Sequence, residues 1–208
     1  MLISLHYLIK KYKIRFTGIL HVGAHECEEI HDYERYVPRY KILWIEAMPE
    51  KVKLCMHKFS NILIEQAVVS DTVENVRFNV SNNGQSSSIL DFGLHSKFHP
   101  QVHYIGYFEA ETKLLKDVIS NYNIDFNFLN FDIQGAELKA LKGMGEYLKK
   151  VDYLYTEVNS DYVYKDCALI SELDEYLLQF GLYRVETMWC ENYRWGDAFY
   201  IRKIINKI

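Results

Sequence analysis

The sequence predicts an α/β domain: a mainly parallel sheet with helices on both faces, closed by an antiparallel pair of strands. Three observations lead there. Short apolar runs alternate with stretches of helical spacing along most of the chain. Those runs are continuously apolar, as strands covered on both faces are. The last two strand-like runs have no helix between them, so they pair with each other antiparallel. The 208 residues suit one domain with a proper buried core. Neither a repeat nor a linker divides them, so residues 1–208 read as a single domain.

Taken in order, residues 2–13 form a short amphipathic helix within an N-terminal segment, 1–15, lying on the domain. Residues 16–22 are a strand ending in Gly23-Ala24, and residues 26–36 follow with helical spacing. Residues 42–45 are the second strand, Pro49 opens a helix over 50–59, and residues 62–69 are the third strand. Residues 75–110 differ and read as a β-extension or insertion: a strand over 75–80, a polar loop over 81–88, and a strand over 102–108. After a helical pattern over 114–122, the alternation resumes with a strand (126–133), a helix (135–144), a strand (153–158) and a helix (168–180). Residues 182–188 and 198–202 are the terminal hairpin, joined by a loop holding Trp189, Asn192 and Trp195-Gly-Asp197.

Composition excludes several classes. The chain carries 24 Lys and Arg against 28 Asp and Glu, a net charge of −4, which does not suit general binding of a phosphate backbone, so no nucleic-acid partner is expected. Three prolines and ten glycines argue against a long disordered region. The four cysteines form no CxxC pair and no HExxH is present, so no zinc motif is written here. No apolar run is long enough to span a membrane, and lysines following the first apolar stretch reverse the charge order of a signal peptide. The expectation is a cytoplasmic protein. A bias toward Ile, Lys, Asn and Tyr suggests an AT-rich genome, bacterial or that of a large virus, in which case the compartment is the host cytoplasm. The oligomeric state stays open, and a homodimer is compatible with the sequence.

The chemistry gathers where strands end. Gly23-Ala24 closes the first strand ahead of a helix, where backbone can approach a ligand, but only one glycine stands in the turn and the GxGxxG fingerprint is absent. Glu46 closes the second strand, where an acidic side chain can accept both ribose hydroxyls of an adenosine-containing cofactor. Asp132 closes the fourth parallel strand, and Glu157-Val-Asn159 closes the fifth at the same edge. Asp132, Glu157 and Asn159 can thus converge as a base, a hydroxyl-orienting group or an oxygen-rich site for a hard divalent ion. Two neighbouring carboxylates raise one pKa, which suits a base.

Four stretches together carry a resemblance: Val22-Gly-Ala-His25; Glu46-Ala-Met-Pro49; Asn83-Gly-Gln-Ser-Ser-Ser88 with the preceding Ala67-Val-Val-Ser-Asp71; and Phe131-Asp-Ile-Gln-Gly-Ala-Glu137. In this order and spacing the chain resembles the FkbM family of S-adenosylmethionine-dependent methyltransferases over roughly residues 16–202. The resemblance implies a class I methyltransferase (Rossmann-like) fold, a seven-stranded mixed sheet with its last strand antiparallel. It also implies S-adenosyl-L-methionine as cofactor. Gly23 and Ala24 would line its methionine and ribose, Glu46 with Ala47 its ribose hydroxyls, and Gln66 and Ala67 its adenine. His25 would face the cofactor or cap a helix. Asp132 matches the family's aspartate near the methyl group and is the first catalytic candidate, with Glu157 second. His21, Cys27 and Gln134 depart from the frequent aspartate, glycine and glutamate of the family.

The implied reaction is O-methylation of a glycan or another small hydroxylated molecule. Gln85, Ser86, Asn159 and Trp195 are the acceptor-binding candidates, and acceptor recognition is expected from residues 75–110 and the loops after Val158 and Met188. A divalent ion is compatible with the carboxylates, but no metal ligand is assigned. Two other classes stay open: a nicotinamide-dependent oxidoreductase, which shares the ribose glutamate but wants a glycine-rich turn, and a non-catalytic nucleotide-binding module.

Overall fold

Leu5–Tyr12 forms helix α1, which Ser4 opens by accepting the Tyr7 N–H on its hydroxyl and Lys13 closes in the left-handed conformation. The computed structural model describes residues 1–203; residues 204–208, the end of the expected domain, lie outside the described residues. Three strand and helix units follow: β1 (Ile19–Val22), α2 (Ile30–Tyr33), β2 (Ile42–Glu46), α3 (Pro49–Lys58) and β3 (Leu63–Gln66). Next come β4 (Val69–Ser70), β5 (Asn75–Ser81), α4 (His95–Phe98), β6 (Tyr104–Glu111), β7 (Lys113–Leu114) and α5 (Leu115–Ile119). The second half holds β8 (Phe128–Phe131), α6 (Glu137–Met144), β9 (Tyr153–Asn159), α7 (Ile170–Leu178), β10 (Leu182–Trp189) and β11 (Trp195–Arg202).

The main sheet has seven strands in the order β3-β2-β1-β8-β9-β11-β10, and only β11 runs against its neighbours. Successive residues of each strand feed opposite layers. Leu20, Leu43, Leu129 and Leu154 pack under α5, α6 and α7, while Ile19, Ile42, Phe128 and Tyr155 pack against Leu8, Tyr33 and Cys55 from α1, α2 and α3. Both layers are apolar, which is why the strands read as unbroken runs. Each fully buried aliphatic or aromatic side chain contributes on the order of 1.5–3 kcal/mol, and the middle strands β1, β2 and β8 are buried at every position.

The expected hairpin and the expected extension both form. β10 pairs with β11, and β5 pairs with β6 as a separate antiparallel ribbon that ends at Glu111. Three expectations need correction. Residues 26–36 are helical only over Ile30–Tyr33, because His25 and Cys27 take left-handed backbone conformations and His25 gives its N–H to Glu46. The strand expected over 62–69 is two: it leaves the main sheet after Gln66, and Val69–Ser70 turns away to pair with Lys113–Leu114. Trp195-Gly-Asp197 is the start of β11 and not part of the loop, since Asp197 pairs across from Glu157 of β9.

Candidate active site

The order of the main sheet reverses at β1, which lies between β2 and β8, and such a reversal opens a crevice at the carboxyl ends of the strands. Two hollows meet there. The first, with about 580 Å³ of empty space, is a cleft walled by Val22, Ile45, Met48, Val68, Phe78 and Ile89. The second, with about 1430 Å³, is a chamber between the ends of β1, β8, β9 and β11 and the insertion. Gly23, His25, Gln85, Asp132 and Gln134 border both.

Gly23 sits at φ +92°, and a Cβ there would fall 1.8 Å from the Asp132 carbonyl oxygen. The contact between two strand ends therefore demands the glycine by itself, and Gly23 also borders both hollows. The same contact brings Asp132 to the cleft floor, where its N–H donates to the Val22 carbonyl at 2.9 Å.

Glu46 is buried, with 5% of its surface exposed, so it is not a solvated strand-end residue. One carboxylate oxygen accepts the His25 N–H at 2.7 Å and the other the Met48 N–H at 2.8 Å. Burial pushes its pKa up, and the two amides oppose that shift. A carboxylate has about four acceptor positions, so roughly two stay free toward the cleft. His25 holds Glu28 through Nδ1 at 2.6 Å, which raises the imidazole pKa, while its buried Nε2 has no partner among the described residues. The loop carrying Gly84 covers that nitrogen. Side-chain hydrogen bonds stiffen the loop: Ser87 accepts the Ser81 N–H, and Asn83 accepts the Ser86 N–H.

The chamber is acidic. Glu28, Glu29, Asp132, Glu157 and Asp197 line it, and no Lys or Arg does among the described residues. Glu157 and Asp197 are register partners on antiparallel strands, so two like charges face each other directly. Burial first, then Asp132, Glu137 and Asp197, pushes the Glu157 pKa well above the ordinary carboxylate range. Asp197 is raised by burial and held by the Tyr155 hydroxyl and the Leu2 N–H. Asp132 is open to the cleft, but protein surrounds it on its other sides; the resulting loss of water raises its pKa and Asp197 adds to the effect. Glu137 is pushed up to about 7 by burial, and one of its oxygens accepts the Ile133 and Gly135 N–H groups, so it braces the turn and does not face the chamber.

His21 forms part of the chamber wall. It stacks on Trp44 with centroids 4.6 Å apart, and its Nδ1 lies 3.1 Å from the Tyr33 hydroxyl. Burial brings its pKa down to about 4, so the ring is neutral near pH 7. Farther out, Phe92 stacks between His95 and Tyr104, with centroid distances of 4.2 and 4.0 Å, giving the insertion an aromatic spine.

Most residues expected from the sequence meet here. Gly23, His25, Glu46, Ala47, Ala67, Gln85 and Asp132 line the cleft, and Ser86, Glu157 and Trp195 line the chamber. Three do not line either hollow. Ala24 is buried in the layer beneath α2 and gives its N–H to Ile45, Gln66 is exposed at the end of β3, and Asn159 is buried between Trp195 and Leu169. Sequence reasoning missed His21, Gln134, His95 and Asp197 as wall residues. Asp197 had a signal: two positions before the buried Phe199 on an antiparallel last strand, it must share a sheet face with Glu157. No three His, Cys, Asp or Glu side chains converge to hold a metal ion among the described residues. No helix among them is long and apolar enough to cross a membrane.

Comparison with known proteins agrees with this architecture. Residues 21–185 match the model of the methyltransferase FkbM domain. The 2-O-methyltransferase NoeI of Sinorhizobium fredii (strain NBRC 101917 / NGR234) is 23% identical over 158 residues, 71% of this chain and 65% of the relative. The chain thus spans just under two thirds of that relative's length. Among solved structures, an S-adenosylmethionine-dependent methyltransferase from Clostridium acetobutylicum ATCC 824 superposes with a TM-score of 0.54 at 7% identity, covering 95% of this chain and 89% of that one. Magnesium protoporphyrin IX methyltransferase from Synechocystis PCC 6803, solved with bound SAM, gives 0.52 at 7% identity, covering 95% and 76%. These likenesses show the class I methyltransferase fold.

Proposed function

The chain belongs to the FkbM methyltransferase family, and from that premise we propose an S-adenosyl-L-methionine-dependent O-methyltransferase acting on a hydroxyl of a neutral glycan or sugar. The observation that carries this reading is Asp132, a carboxylate on the wall shared by a mainly apolar cleft and a polar chamber. The cleft's residues fit the cofactor. Glu46 keeps acceptor positions for two ribose hydroxyls, Val68, Phe78 and Ile89 offer apolar faces to adenine, and the orphaned Nε2 of His25 lacks a partner that a polar ligand group can provide. When bound, the cofactor supplies a methyl group on a sulfonium centre, which an oxygen nucleophile displaces in line.

Holding two reactants in such geometry is itself a large part of catalysis. Asp132 takes the proton of the acceptor hydroxyl, and Glu157 orients that hydroxyl from the neighbouring strand. Gln85 and Ser86 meet further hydroxyls, while Trp195 presents its ring to the apolar side of a sugar. Five lining carboxylates, with no lining Lys or Arg among the described residues, oppose a phosphate- or carboxylate-bearing acceptor. The similarity to a 2-O-methyltransferase supports oxygen as the nucleophile. Mass spectrometry of neutral oligosaccharides incubated with protein and S-adenosylmethionine tests this: gain of a methyl group is expected. Methylation confined to non-carbohydrate acceptors would replace the glycan, and a redox change with a nicotinamide cofactor would replace the whole reading.

A further inference from the structure

Gln134 makes more polar contacts at the chamber floor than any other side chain there. Its Nε2 lies 2.6 Å from Asp132 Oδ1 and 3.1 Å from Glu157 Oε2, and its Oε1 accepts the Tyr164 hydroxyl at 2.6 Å. Its main-chain oxygen accepts the Ser88 hydroxyl at 2.9 Å. The backbone is left-handed, at φ 56°, and the next residue, Gly135, is packed so closely that a Cβ would lie 3.0 Å from the Cβ atoms of Cys167 and Tyr164. Such a conformation costs on the order of 1–3 kcal/mol for a residue with a side chain, and here it aims the amide between two strands.

We propose that Gln134 is a positioning residue for proton transfer: its single amide nitrogen clamps Asp132 and Glu157 together, leaving the other oxygen of each carboxylate for the acceptor hydroxyl. The inference rests on the O-methyltransferase reading. An amide does what no acid at this position does, because each of its two N–H groups serves one carboxylate. A glutamate would add a further negative charge to Asp132, Glu157 and Asp197. The clamp also ties the acceptor side to the proton acceptor, since Tyr164 comes from the loop after β9 and Ser88 from the insertion.

The charged and titratable groups facing the pair are Asp197 from β11, Glu137 from α6, His21 from β1, Tyr164 from the following loop and the amino group of Met1. Burial raises both carboxylates, and the Gln134 hydrogen bonds pull each back toward ionisation. Removing those bonds therefore moves the acidic limb of the rate profile to higher pH.

The test compares wild type with Gln134→Leu, Gln134→Glu and Tyr164→Phe in two measurements. One is the pH dependence of kcat; the other is 13C NMR titration of the Asp and Glu carboxyl groups in the ligand-free protein. Expected upward shifts are roughly one pH unit for Gln134→Leu, more for Gln134→Glu, and less than one for Tyr164→Phe, with cofactor KM within about twofold of wild type. Carboxyl titrations that coincide with wild type in both Gln134 variants, or move downward, overturn the clamp. Wild type without any methyl transfer would instead overturn the O-methyltransferase reading, while the titration still decides what Gln134 does to the carboxylates. Tyr164→Phe keeps the chain's charge and Gln134 itself, so the effect is read even if a Gln134 variant fails to fold.

Discussion

The cleft and the chamber are made from different materials. The cleft is mainly apolar, and its carboxylate Glu46 is locked by two main-chain amides, those of Met48 just after β2 and of His25 just after β1. The chamber is lined by carboxylates and imidazoles brought from the ends of four strands and from the insertion, and its fixed contacts run from side chain to side chain, two of them between different strands or loops. Backbone-anchored polar groups resist change in neighbouring side chains, whereas a network of side chains depends on each member. On the proposed reading, the cleft suits an invariant cofactor, and the chamber is where the acceptor is chosen and its protonation set.

Substitutions that respect this division have effects of very different size. Gly23→Ala strikes both hollows, because its Cβ would collide with the Asp132 carbonyl at a backbone angle suited to glycine. A loss of roughly 3 kcal/mol or more in unfolding free energy, with no S-adenosylhomocysteine binding, is expected by denaturation and calorimetry. Asp132→Asn strikes the wall that the two hollows share: kcat should fall by about 10²–10⁴-fold, with a much smaller change in the affinity for S-adenosylhomocysteine. An equal fall in affinity would make Asp132 a cofactor-binding residue and not the proton acceptor.

Glu157→Gln is expected to stabilise the fold, and increasingly so as the pH rises. A carboxylate with a raised folded pKa contributes its full share of stability below the pKa of the unfolded chain. It loses that share as the pH climbs through the folded value. Gln has no charge to bury, so Tm should exceed wild type by roughly 2–4 °C at pH 8 and match it near pH 4. A gain at pH 4 that vanishes at pH 8 would reverse the assignment. Smallest of all, Gln66→Ala should leave S-adenosylhomocysteine affinity within about twofold, since its side chain lies outside both hollows.

This division also explains what the sequence revealed. The strands, the terminal hairpin and the places of Glu46 and Asp132 at strand ends were legible because each depends on a local pattern: an apolar run, an acidic residue at a strand end, a glycine in a turn. The left-handed turn at His25 and Cys27 was not, because it follows from Glu46 drawing the His25 amide across from another strand. The roles of Gln134 and Asp197 were hidden for the same reason, although Gln134 stood out as a departure from the family and Asp197 by its place before Phe199. What they do depends on Glu157, which reaches Gln134 through the β8 and β9 pairing and Asp197 through the β9 and β11 register. Asn159 looked like a site residue by its place at a strand end, yet the bridge to Leu169 turns it into the fold.

Titration calorimetry of S-adenosylhomocysteine into wild type and Glu46→Gln, with NAD as the competing ligand, tests the assignment of the cleft most directly. Micromolar binding of S-adenosylhomocysteine is expected, weakened about 10- to 100-fold in Glu46→Gln, where loss of a charged hydrogen bond costs roughly 1.5–3 kcal/mol, and with no binding of NAD. Binding of NAD instead, or S-adenosylhomocysteine binding that Glu46→Gln leaves untouched, would contradict it.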